Sequence, residues 1–264
     1  MIERDLTWEE LKTEVSNHLK EQKGPVLCRG QADSSWGLRT SFHRIESGFT
    51  FVQYFEIVKS LADFVGTYEK RTIDVVDAEV NGSFLAYLQH HGFPTPLLDW
   101  SHSPYIALFF AFSEITPKTS ETGKVSLWVF NYLKWTQTFR QTYDYTDTTP
   151  HVSILRPKSM GNERQLIQQG NEFMFTNVDD IAGHIQENEK GKGETYMEKY
   201  NLSVKERNLI MEELEVMGIN RFSLFRTTDA LCSYLKESLF RSSIAGGSPA
   251  ERLETLVKGA KKTE

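Results

Sequence analysis

Three prolines within eleven residues, Pro94, Pro96 and Pro104, govern how the middle of this chain folds. Proline fixes φ, lacks an N–H and biases the residue before it toward extended backbone. Residues 93–100 (FPTPLLDW) are therefore kept out of helix, and Leu97-Leu98 reads as a short buried strand. Pro104 acts differently, because the first turn of a helix tolerates proline. Ser101 or Ser103 caps the very apolar helix 104–112 that follows. On the other side, a helix begins near Asp77 and ends at His91, where Gly92 can take the left-handed cap position.

The same punctuation divides the rest of the chain. Thr7 and Glu10 make a capping box, and Leu11, Val15 and Leu19 follow on one helical face, so a helix spans about 7–22. Gly24-Pro25 stops it and opens the strand VLCRG at 26–30. A second helix covers 51–68, with Phe55, Val58, Leu61 and Phe64 on its buried stripe. Residues 124–132 (KVSLWVFNY) have the β-branched and aromatic content of a strand, and 152–155, 173–176 and 200–204 are further strands. Residues 186–195 (QENEKGKGET) read as a charged loop with nothing to pack. Ser203 caps a helix over 206–217, and Thr227 or Thr228 caps a last one through Leu239. Helices and short strands mix without regular βαβ alternation. The expected class is α+β, with a mixed, mostly antiparallel sheet of short strands flanked by helices. We expect one domain over 1–240 with its motif core at 24–176. Residues 242–249 then read as a linker and 250–260 as a short tail helix.

Composition narrows the function. The 30 basic and 36 acidic residues give a net charge of −6, which does not favour a protein that coats duplex DNA. The two cysteines, Cys28 and Cys232, cannot build a disulfide framework or a four-thiolate zinc site and read as free thiols of a reducing compartment. The N-terminal residues lack the apolar core of a signal peptide, and no apolar run is long enough to span a membrane. The expected location is the cytoplasm. Walker and GxGxxG loops are both missing.

Three constellations carry chemistry. In the first, a strand delivers Arg29 and Gly30 to its carboxyl end, followed by Gln31, Trp36 and Arg39. Arg29 can fork two hydrogen bonds onto a phosphate or carboxylate, and a flat ligand can approach the backbone of Gly30. Gln31 offers an amide, Trp36 a stacking surface, and Arg39 and Arg44 more positive charge. Cys28 alternates with Arg29 along the strand and reads as core. The second constellation is Gln89-His90-His91-Gly92, Thr95 and Leu98-Asp99-Trp100-Ser101-His102-Ser103. Asp99 can anchor Arg29, His90 or a ribose hydroxyl, and the serines sit where helix N-terminal amides favour an anion. Adjacent histidines rarely share one metal, and no metal site is expected. The third is Asn162-Glu163-Arg164 with Gln168, Gln169, Gly170 and Glu172, which offers a carboxylate or amide to face Arg29.

At these residues the chain resembles the FRG-domain family. The matching pieces are Arg29-Gly30-Gln31, Trp36, Leu38, Gln89-His90, Gly92, Pro94-Thr95, Leu97-Leu98-Asp99-Trp100, Ser103-Pro104 and Ala107, with a weaker match at Asn162, Arg164, Gln169, Gly170 and Phe173. Cys28 replaces the motif's aromatic residue, and Pro96 stands where the family usually carries a basic one. The family's layout is similar to that of ADP-ribosyltransferases. That resemblance implies a domain that binds NAD and transfers ADP-ribose to a protein or nucleic-acid acceptor, of the kind found in toxins and phage-defence systems. It implies that Arg29 binds ribose or pyrophosphate, Gly30 the carboxamide, and that Trp36 or Trp100 stacks. His90 and Asp99 orient groups, Ser101 and Ser103 lead into the helix beside the nicotinamide, and Glu163 or Gln169 faces the ribose. The alternative is a non-catalytic nucleotide or nucleic-acid recognition module. A metal-dependent nuclease using Asp99, His90 and His91 is a third reading.

Overall fold

Backbone pairing sorts the strands into two sheets, with helices packed on their outer faces, in a computed structural model that describes residues 2–21, 24–115, 123–157 and 166–240. The first sheet has the order β1-β7-β4-β2, formed by β1 (Ile2–Asp5), β7 (Met197–Ser203), β4 (Lys124–Phe130) and β2 (Leu27–Gln31). Only β1 and β7 run parallel. The second sheet is antiparallel throughout, with order β3-β6-β5, from β3 (Leu97–Asp99), β6 (Phe173–Thr176) and β5 (Val152–Leu155). The fold class is therefore α+β, with one mixed and one antiparallel sheet.

The sequence signals explain most elements. Thr7 and Glu10 form the expected capping box on α1 (Trp8–Lys20). A second capping box, Thr50 with Gln53, opens α3 (Phe51–Glu69), after the short α2 (Ser41–Arg44) capped by Thr40. Asp77 caps α4 (Ala78–His90), and Ser103 caps α5 (Pro104–Ser113) with Pro104 in its first turn. The predicted strand over 124–132 is shorter, because Asn131 accepts from Lys134 N at 3.1 Å and starts α6 (Tyr132–Thr138). Residues 186–195 are not a packless loop. They lie largely in α7 (Ile181–Lys192), whose buried side is Ile181, Ile185 and Glu189. On α3 the buried stripe is Tyr54, Val58, Ala62 and Gly66, so Phe64 points outward and is 75% exposed. A Cβ on Gly66 would lie 2.6 Å from Arg71 O; small residues make the close face here, and large ones are left outside.

Two apolar clusters position the sheets. One gathers Leu98 and Trp100 with Trp128, Phe130 and Trp135. The other joins α3 and α4 to β3, β5 and β6 through residues such as Tyr54, Leu85, Leu97 and Phe175. The outer edge of β5 is closed by side chains: Trp135 Nε1 donates to Val152 O, Tyr143 Oη to Ile154 O, and Ile154 N to Gln141 Oε1. Such covering blunts an edge that would otherwise pair with another chain.

The chain divides into two compact units at Glu212–Glu213, within α8 (Arg207–Val216). Unit one carries both sheets. Unit two contains α9 (Arg221–Phe225), capped by Asn220, and α10 (Thr228–Phe240). The expected linker and tail at 241–264 lie outside the described residues. Among the described residues, no helix is long and apolar enough to cross a membrane.

Candidate functional site: the fork between two sheets

Among the described residues, one backbone bridge joins the two sheets. Cys28 N donates to Ser101 O at 2.7 Å, and Ser101 N donates to Cys28 O at 2.8 Å. In an antiparallel ladder the next such pair would be Gly30 with Asp99. That pair does not follow, because the bridge is isolated and β2 and β3 belong to different sheets. Instead Arg29 Nη1 donates to the carbonyl oxygen of Asp99 at 2.8 Å. The strands part there and make a fork. Since backbone groups alternate along a strand, Gly30 N–H and C=O point the same way as those of Cys28, into the gap.

Gly30 has a structural reason to be glycine as well. A Cβ there would lie 1.9 Å from Ala107 O, so α5 crosses β2 too closely for any side chain. One side of Gly30 is filled by the helix, and what access remains is at the peptide edge.

A hydrogen-bonded relay shapes the other prong. Thr95 Oγ1 donates to Gln89 Oε1, and Gln89 Nε2 donates to Asp99 Oδ1. Thr95 also ties in α2: its N–H donates to Ser41 Oγ at 2.9 Å, and its carbonyl accepts from Phe42 N at 3.0 Å. This places Arg44, at the end of α2, within electrostatic reach of both Arg29 and Asp99. Asp99 is exposed at the surface although much protein surrounds it. That enclosure pushes its carboxyl above the ordinary carboxylate range, while Arg29 and Arg44 pull it back. Burial likewise lowers the Arg29 guanidinium from its ordinary value; Asp99 and Glu114 favour its charge and Arg44 opposes it. Arg29 Nε is enclosed and has no hydrogen-bond partner among the described residues. The fork thus presents two cations, the Asp99 carboxylate and a glycine peptide. Such a set suits an anionic ligand that also carries hydroxyl or amide groups.

Several expected ligand contacts have structural roles instead. Gln31 is buried; its Oε1 accepts from Trp128 Nε1 at 2.6 Å, and its Nε2 donates to Gly37 O at 3.1 Å. Trp100 is 3% exposed inside an apolar cluster and offers no face for stacking. Arg39 grips Asp179 with Nε and Nη2, at 2.5 and 3.0 Å, and also reaches Glu46. Ser101 Oγ donates to Gln168 O and accepts from Ser103 N, and Ser103 Oγ accepts from Ile106 N. Trp36 keeps an open ring in the loop after β2, 43% exposed. His90 stands edge-on to His91 at the exposed end of α4, and its neighbour Gln89 makes the bond to Asp99. Cys28 is buried, which pushes its thiol up to about 12 and keeps it protonated.

The third constellation divides. Asn162, Glu163 and Arg164 lie outside the described residues. Gln169 sits at φ +50° in a turn whose carbonyl accepts from His102 N at 2.9 Å, and its side chain is exposed. Glu172 is buried and committed: Oε2 meets His102 Nε2 at 2.7 Å, and Oε1 meets Arg156 Nε at 3.3 Å. The sequence places Gln89 in the second constellation without disclosing its bond to Asp99, and it does not single out Glu114, whose charge acts on Arg29. Gln89 had a signal, since it shares the QHxGxPTxLLDW string with Asp99; Glu114 had none.

Residues 24–120 match the family model of the FRG domain, which covers β2 through α5 and every described side chain of the fork. No curated protein and no solved structure matches the chain.

Proposed function

We propose that the fork binds NAD and that the domain transfers its ADP-ribose to a protein or nucleic-acid acceptor. The observation that carries this reading is the divergence of β2 and β3 after one bridge, with Arg29 spanning the gap to Asp99 O and the Gly30 peptide facing into it. A carboxamide can pair with a glycine N–H and C=O that no strand occupies. Arg29 and Arg44 suit a pyrophosphate, whose oxygens accept charge-assisted bonds. Asp99 suits ribose hydroxyls, held in place by Gln89.

The chemistry asked of the site is modest. The bond between ribose C1′ and the nicotinamide nitrogen breaks, and its electron pair leaves with neutral nicotinamide. Positive charge develops on the ribose, where a fixed carboxylate lowers the barrier. An acceptor oxygen or nitrogen then bonds to C1′ and releases its proton to a base or to water. Asp99 is the carboxylate this chain places in the fork, and its raised proton affinity fits it to receive that proton.

A second reading, a nucleotide-recognition module without transfer, is favoured by one observation. Glu172, the carboxylate just before β6, is held by His102 and Arg156. Calorimetric titration with NAD tests binding: one equivalent should bind, and Arg29→Ala should weaken it by tenfold or more. No heat with the wild type overturns both uses of NAD. Incubation with labelled NAD and cell lysate separates the two, because binding without label on any acceptor selects the module.

A further inference from the structure

The sheet that carries Arg29 on one face has a cavity on the other. It measures about 720 Å³ and is lined by α1, by the strands β2, β4 and β7, and by α6. Its wall includes Leu11 and Val15 from α1, and Leu127 and Val129 from β4. The volume falls in the range of small-molecule sites, roughly 300–1,000 Å³. It is too large to be a packing defect of the sort that folded cores tolerate.

Its polarity is uneven in a way that specifies a ligand. The charged groups on the wall are matched by the protein itself: Glu14 pairs with Arg4 at 3.1 Å, Lys134 with Glu194, and Glu198 accepts from Tyr200 Oη. His18 Nε2 meets Gly24 O at 2.8 Å, and His102 pairs with Glu172. A charged ligand would find no uncompensated opposite charge and would lose its water. Around α6 the wall also carries neutral polar groups. Gln137 and Thr195 line it with no hydrogen-bond partner among the described residues, and Asn131 keeps its amide nitrogen after Oδ1 accepts from Lys134 N.

We propose that this cavity is a second binding site, for an uncharged, mainly apolar small molecule with one amide, carbonyl or hydroxyl end. The carbon skeleton lies on Leu11, Val15, Leu127 and Val129, and the polar end meets Gln137 and Thr195. The inference does not depend on the fork reading, since the two sites occupy opposite faces of the sheet.

Octanamide is the probe, with octanoate and octylammonium as charged controls, each titrated into the full chain by calorimetry. Saturable one-to-one binding of octanamide, at least tenfold tighter than either control, is expected. Val129→Trp should fill the cavity and abolish binding; Val15→Trp from the opposite wall serves if Val129→Trp fails to fold, as judged by circular dichroism. Gln137→Ala should weaken octanamide several-fold and leave the NAD titration unchanged. Absence of saturation, equal binding of the three probes, or undiminished binding in the folded filled variant overturns the proposal.

Discussion

At the scale of single residues, the fork rests on positions where stability and binding pull in opposite directions. Gly30 is the tightest. A Cβ at 1.9 Å from Ala107 O meets backbone, which cannot swing aside as a side chain would. Gly30→Ala should therefore destabilise the fold by at least ~1–3 kcal/mol, the usual cost of overpacking, read as a lower midpoint in denaturant unfolding. Asp99 pulls the other way. Its folded carboxyl holds a proton more tightly than the unfolded one, chiefly because it is enclosed. Its contribution to stability is therefore greatest in acid and is lost as pH rises through the raised value. Asp99→Asn should unfold at a higher denaturant midpoint than wild type at pH 7, and the gap should close as pH falls below the ordinary carboxylate range. The same variant should bind NAD about tenfold more weakly, consistent with loss of one charge-assisted bond. A lower midpoint at pH 7 would show that the attraction of Arg29 and Arg44 outweighs the enclosure.

At the scale of elements, the contrast between α5 and α7 shows what the sequence could and could not disclose. Ser103, Pro104 and a run of apolar residues specify α5 locally, and the structure starts the helix where they say. The α7 segment carries its signal in tertiary form. Ile181, Ile185 and Glu189 are spaced four apart, but a buried glutamate breaks the apolar pattern. Glu189 is inside because Oε1 accepts from Tyr196 N at 2.8 Å and Met197 N at 2.9 Å, closing the start of β7. No local pattern announces such a bond. The partners of Trp100, Gln31 and Arg39, from Trp128 to Asp179, are hidden for the same reason, because they lie far away in sequence. The prolines, caps and strand end that place Arg29 and Asp99 were legible because they act on the backbone nearby. Glu189→Ala should cost ~1–3 kcal/mol per amide left unsatisfied in thermal or denaturant unfolding, and Glu189→Gln should recover much of it. The junction of α3 with β6 adds a pH dependence. His151 is 6% exposed, lies against Phe51 and Phe175, and neither ring nitrogen has a hydrogen-bond partner among the described residues. Burial lowers its pKa from the ordinary 6.5; Asp147 opposes the shift, and His184 and Arg140 add to it. The folded state thus favours the neutral ring, so its stability is complete above that ordinary value and declines as pH falls toward the lowered one. Unfolding midpoints between pH 7.5 and 5 should fall for wild type and fall less for His151→Phe.

At the scale of the whole molecule, the main consequence is how little backbone joins the two sheets. Each sheet has its own ladder, and although one apolar cluster packs side chains of both sheets together, the described backbone bonds between them are the two exchanged by Cys28 and Ser101. Side chains reinforce that junction from both ends. Arg29 reaches Asp99 O on one side, and on the other Ser101 Oγ holds the 166–170 turn through Gln168 O. Amide exchange reads this arrangement directly, because protection reflects the opening that frees each N–H. The amides of Cys28 and Ser101 should exchange only with the slow class that reports loss of both sheets, since freeing either requires parting them. The amide of Gly30, two residues along the same strand, faces the gap and should exchange orders of magnitude faster. Saturating NAD should slow Gly30 selectively, because a carboxamide seated in the fork would accept from that N–H while the bridge is protected already. Slow exchange of Gly30 without ligand would mean that β2 and β3 stay paired past the bridge in solution. The gap on which the binding site depends would then be closed.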